Sequence, residues 1–243
     1  NLIALWKQEH VSPMSKEQRA APRPSFAKTW AAFMAEGTSA RLILVVFLGT
    51  LAFNMQDVLL EPYGGEILGL AVGQTTWLTA AWAFGALIGL AYASRRLKAG
   101  LTAYRLMSNS IFVGLLAFPA VIVSAPIEST ILFFVGAYLI GLGSGLFAVS
   151  TLIAAMQLGE NENTSHGLAL GAWGAAQATS AGLAIALGGT LRDWISTLAM
   201  RGDLGEALAI PATGYSFVYH LEIAVLIVTL AILVPLVRMA QRT

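Results

Sequence analysis

Two things are scarce in this chain: thiols and charge. There is no cysteine, which rules out disulfides, thiolate metal sites and cysteine nucleophiles and leaves the redox compartment open. Only 11% of the residues are charged, against about 25% in an ordinary soluble domain. That is too little to coat a water-facing globule. No Walker loop, HExxH pair or GxSxG elbow occurs, and no histidine pair flanks a plausible nucleophile. These absences point away from an enzyme. The net charge of +1 by itself says nothing about nucleic acid, and no nucleic-acid partner is expected.

What the chain has instead is apolar length. Hydrophobic residues make up 57% of it, with a mean hydropathy of +0.72. Six runs, at 42–60, 75–94, 106–124, 131–153, 167–189 and 215–237, are each long enough to cross about 30 Å of hydrocarbon as helix. No run alternates with the period of a barrel strand. The expected fold is all-α: a polytopic membrane bundle of six transmembrane helices. Residues 1–41 read as a cytoplasmic linker and amphipathic helix, 42–237 as the transmembrane domain and 238–243 as a cytoplasmic tail. Twelve of the 14 Lys and Arg residues fall on one side of these spans, and only Arg192 and Arg201 on the other. The positive-inside bias therefore places both ends in the cytoplasm.

Residues 7–25 are polar and carry prolines, as a flexible linker would. Phe26, Trp30, Phe33, Met34 and Gly37 then recur at helical spacing around Lys28 and Glu36. They form either an amphipathic helix on the inner surface or a plain extension of the first span. The chain opens on Asn1, and "NLIALW" reads as the end of a span whose beginning is missing. Residues 190–214 form the longest outer loop, with apolar periodicity in "DWISTLAMRGDL". Gly136, Gly141, Gly143 and Gly145 in the fourth span, and Gly167, Gly171, Gly174 and Gly182 in the fifth, read as surfaces for close helix packing.

Polar residues inside such spans are costly and mark function or partners. The stretch "NMQDVLLEPYGGE", residues 54–66, concentrates them. On a continuous helix Thr50, Asn54, Asp57 and Glu61 share one face. Pro62 is expected to end that helix, and Gly64 and Gly65 to turn Glu66 back against the stripe. Asn54, Gln56, Asp57, Glu61, Tyr63 and Glu66 are thus candidate binding-site residues. Gln177, in mid-span, is either glue between helices or a pocket residue. His220 and Glu222 lie on different faces of the last span, and the His220 imidazole is a candidate ligand for the magnesium of a tetrapyrrole. Asn163, Thr164 and Ser165 match a glycosylation acceptor, but on the cytoplasmic side Thr164 or Ser165 reads better as a helix N-cap.

"QDVLLEPYGGEILGLAVGQTTWLTA", 56–80, and "GLALGAWGAAQATSAG", 167–182, resemble the PucC and LhaA proteins, the bacteriochlorophyll delivery family of the major facilitator superfamily. The resemblance runs over the whole chain, as the carboxyl-terminal six-helix half of a twelve-helix protein. It implies an assembly factor for bacterial light-harvesting antenna complexes that binds or delivers bacteriochlorophyll in the inner, intracytoplasmic photosynthetic membrane. The implied partners are antenna polypeptides and bacteriochlorophyll or its synthesis enzymes. One departure concerns "GLAYASRRLKAG", 89–100: Ala93 and Ser94 stand where superfamily transporters carry an acid and a base of the gating loop. The alternative is a proton-coupled solute transporter with Asp57 and Glu61 as carriers.

Overall fold

The computed structural model describes residues 25–159 and 166–241, and within them every regular element is helical. The helices are α1 Phe26–Ala35, α2 Gly37–Asn54, α3 Leu60–Glu66, α4 Val72–Lys98, α5 Ala103–Ser124, α6 Thr130–Leu158, α7 His166–Met200 and α8 Ala212–Met239. Single 3-10 turns occupy Met55–Val58 and Glu206–Leu208. The all-α membrane bundle is therefore the fold. The greater part of the expected linker, with Asn163, Thr164 and Ser165, lies outside the described residues.

Long apolar stretches find their partners through small residues. α6 packs broadly along both α4 and α5. Its contact with α4 is reciprocal: a methyl on Gly141 or Gly145 would strike the Trp82 or Ala86 carbonyl, and one on Gly85 or Gly89 the Tyr138 or Leu142 carbonyl. Backbone touches backbone there, as small residues permit in lipid. On its other faces α6 lays Gly136 against Val121 and Gly143 against the Phe53 ring. The expected packing role of these four glycines holds. The second glycine set differs. A methyl on Gly167, Gly171, Gly174 or Gly182 would meet nothing within 4 Å, so within the described residues that face of α7 packs against nothing. α7 turns its alanine face inward instead, with Ala169, Ala172, Ala176 and Ala184 buried.

Three boundaries move. α1 is a helix separate from α2, set off by the extended backbone of Glu36 (φ −72°, ψ 111°). α7 runs on to Met200, so half of the expected outer loop is helical and the chain turns only where Gly202 and Gly205 adopt positive φ. Five described helical segments are long and apolar enough to cross a membrane. The expected fifth span, 167–189, lies in α7, which has the length at 35 residues but is diluted by Gly, Ser, Thr and Gln.

The first span breaks where the sequence reading kept it straight. α2 ends at Asn54, the 3-10 turn follows, and α3 begins at Leu60 with Pro62 inside its first turn. Proline explains both facts. Its ring would clash with the carbonyl four residues earlier in a continuous helix and it offers no N–H to it, yet it fits a first helical turn. The interruption therefore falls one turn ahead of Pro62. α7 comes up against this break, where Gly188 leaves no side chain between itself and the Met55 carbonyl, 2.6 Å from where its Cβ would be.

Candidate functional site

The helix break divides the polar stretch into separate environments, and the single expected stripe does not form. Thr50 and Asn54 remain on α2 and line a cavity of about 270 Å³ together with Gln177 and Trp82. Asp57 and Glu61 open into a neighbouring cleft of about 230 Å³ with Gln56 and Thr79. Asp57 accepts a hydrogen bond from the Gln56 amide, and Glu61 accepts one from the Thr79 hydroxyl. Trp82 borders both spaces.

Glu66 does not turn back toward Asp57. Gly64 and Gly65 are helical, and the chain reverses only beyond them, where Gly69 has φ +66°. Glu66 accepts a hydrogen bond from the Tyr215 hydroxyl at 2.7 Å and pairs with Arg192, which also bonds Tyr215 and reaches Asp193 at 2.7 Å. The guanidinium carbon stands 4.3 Å from the Tyr215 ring centroid. One clasp thus joins α3, α7 and α8 at one end of the bundle. Sequence reasoning missed it because Arg192 is 126 residues away; the available signal was that only Arg192 and Arg201 stood on the acid's side of the membrane. Tyr63 is buried in an aromatic group, 5.3 Å from Tyr215, 5.6 Å from Tyr219 and 5.5 Å from Phe133 between ring centroids. Its edge reaches the groove described next.

His220 and Glu222 do face opposite ways. Glu222 is fully buried beside the break, near the Gln56 backbone, and neither carboxyl oxygen closes a hydrogen bond. His220 is exposed on the other side, in the wall of an apolar groove of about 450 Å³ with Ile195, Leu208, Phe217 and the edge of Tyr63. Its Nδ1 lies 2.7 Å from the Ser216 carbonyl oxygen. A carbonyl only accepts, so Nδ1 carries a proton, and in the neutral imidazole the lone pair is then on Nε2. Among the described residues no cluster of three or more His, Asp or Glu side chains is arranged for a metal. A lone imidazole with a fixed tautomer fits a metal whose other ligands arrive with an organic ring.

The comparisons with known proteins agree with the motifs. The profile of the family described as PUCC protein matches residues 1–241. The chain belongs to the PUCC protein family. It is 54% identical, over 98% of its length and 49% of the relative's, to an uncharacterised protein from the puhA-bchM intergenic region of Rhodobacter capsulatus. It is 41% identical, over 100% of its length and 51% of the relative's, to protein PucC of Rhodobacter capsulatus. A more distant relative, 29% identical over 74% of this chain and 42% of its own length, is named bacteriochlorophyll synthase 44.5 kDa chain, from Rhodobacter capsulatus. The chain thus spans about half the length of the curated relatives it matches. No solved structure matches it. The name of the last of these relatives mentions bacteriochlorophyll, and this chain is a helical membrane protein.

Proposed function

We propose that this chain is part of a non-enzymatic assembly factor for light-harvesting antenna complexes that binds bacteriochlorophyll on its way to antenna polypeptides. The observation that carries the reading is His220, whose Nδ1 is held by the Ser216 carbonyl at 2.7 Å beside an apolar groove. His220 Nε2 would hold the magnesium of a bound bacteriochlorophyll, the Ser216 carbonyl would fix the tautomer, and Ile195, Leu208 and Phe217 would give the pigment an apolar surface. Asp57, Glu61 and Gln56 offer a polar cleft to the client or the pigment's polar groups. The reading includes a major-facilitator-type arrangement, an inner, intracytoplasmic membrane with both termini of the chain cytoplasmic, and contact with the enzymes that make the pigment. The names of the relatives and the distribution of basic residues support it.

The alternative, a proton-coupled transporter, draws on Asp57 and Glu61 sharing one cleft. Pigment content separates the two readings. Protein purified from a pigment-producing host should absorb as bacteriochlorophyll, and His220→Leu should lower pigment per protein several-fold while membrane abundance stays the same. An unchanged ratio would remove His220 as the ligand, and colourless wild-type protein would favour the transporter.

A further inference from the structure

The cavity at the helix break has no role in the reading above, and its wall is unusual. Thr50 is 5% exposed, and its hydroxyl bonds to nothing; the indole N–H of Trp82 is likewise buried and unpartnered. Asn54 and Gln177 are half-buried, and their amides make no hydrogen bond among the described residues. These four groups come from three helices, α2 twice, α4 and α7, with Ser144 of a fourth, α6, completing the ring; they converge on about 270 Å³ of space walled by Phe53 and Phe147.

A buried polar group without a partner costs roughly 1 to 3 kcal/mol, and a membrane interior offers few substitutes. Two such groups fully buried and two more half-buried around one space are a binding site in waiting. Its chemistry is restrictive. Among the described residues no Asp, Glu, Lys, Arg or His lines it, so an ion entering it would find no counter-charge there. An indole N–H only donates, and the amides and hydroxyl also have donors to give. The complement is a neutral acceptor on an apolar body. The volume suits one small ring or the rim of a larger one, with the two phenyl rings to stack on it.

We propose that Thr50, Asn54, Trp82 and Gln177 form a binding site for an uncharged, carbonyl-bearing ring of an apolar molecule. Two membrane molecules present that chemistry, the head of an isoprenoid quinone and the carbonyl substituents at the rim of a tetrapyrrole. The site stands on different residues from the His220 groove. Its test uses ligands that need no metal contact.

The full-length protein, in detergent, is dialysed to equilibrium against decyl-ubiquinone and, separately, against metal-free bacteriopheophytin. At least one probe should bind saturably, and Thr50→Val and Trp82→Phe, which keep the shape of the wall and remove a hydroxyl or an N–H, should each weaken it about tenfold, the worth of one hydrogen bond. Should either variant accumulate poorly, Gln177→Met, on the half-exposed side of α7, provides the same reading. Binding of the quinone alone assigns a quinone site, and binding of the pheophytin alone assigns the pigment's carbonyls. No saturable binding of either probe overturns the proposal, as does binding that these variants leave at wild-type strength. Because bacteriopheophytin lacks magnesium, a failure here leaves the His220 reading standing, and loss of pigment in His220→Leu leaves this one standing.

Discussion

α6 and α7 carry comparable sets of glycines and use them in opposite ways. On α6, Gly141 and Gly145 press against the carbonyls of Trp82 and Ala86, whereas Gly167, Gly171, Gly174 and Gly182 of α7 face open space. A glycine pattern at helical spacing reports that a backbone can be approached. Which face is approached is decided by what lies opposite, and that is tertiary information. α7 is held otherwise, through its alanines and a few polar contacts: Ser180 to the Phe47 carbonyl at 2.5 Å, Trp173 to Thr151 at 3.2 Å, and the Arg192 clasp.

The contrast can be broken from either side. Gly141→Leu should have the largest effect, because its side chain would occupy the place of the Trp82 backbone, which no rotamer change relieves; overpacking of this kind costs upward of about 1 to 3 kcal/mol. Loss of the protein from membranes, read by immunoblot against wild type, is the expected result. A smaller effect is expected from Ser180→Ala, which removes the α7–α2 hydrogen bond and should lower stability by about 1 kcal/mol, measured as a fall of a few degrees in thermal midpoint. The smallest belongs to Gly171→Ala. If nothing covers that face, alanine should be neutral or should stabilise the helix by roughly 0.5 to 1 kcal/mol. A destabilised Gly171→Ala in this chain would show that the face is occupied and would erase the distinction between the two helices.

The same distinction explains what could be read from the sequence. Five of the six apolar runs, the separate α1 and the opposed faces of His220 and Glu222 follow from composition and the 3.6-residue period, which are local. The stripe failed for an equally local reason: the proline rule was applied to the residue before Pro62 and not to the carbonyl one turn back, so the break was placed several residues late. Arg192 as the partner of Glu66 was signalled only by the scarcity of basic residues on that side, and the full burial of Glu222 and Trp82 as the wall shared by two cavities were beyond reach. Each depends on helices that meet only after folding, and none leaves a periodic trace.

The α4–α6 seam has a consequence in the currency of entropy. Gly85, Gly89, Gly141 and Gly145 have no rotamers to freeze, so at these points the two helices meet without surrendering side-chain freedom. What binds them there is proximity, and dispersion is steep in distance: a gap of about 0.5 to 1 Å forfeits a quarter to a half of each contact. Such a joint has little give between fully made and lost, so α4 and α6 are expected to move as one rigid plate whenever the rest of the bundle rearranges around the broken first span.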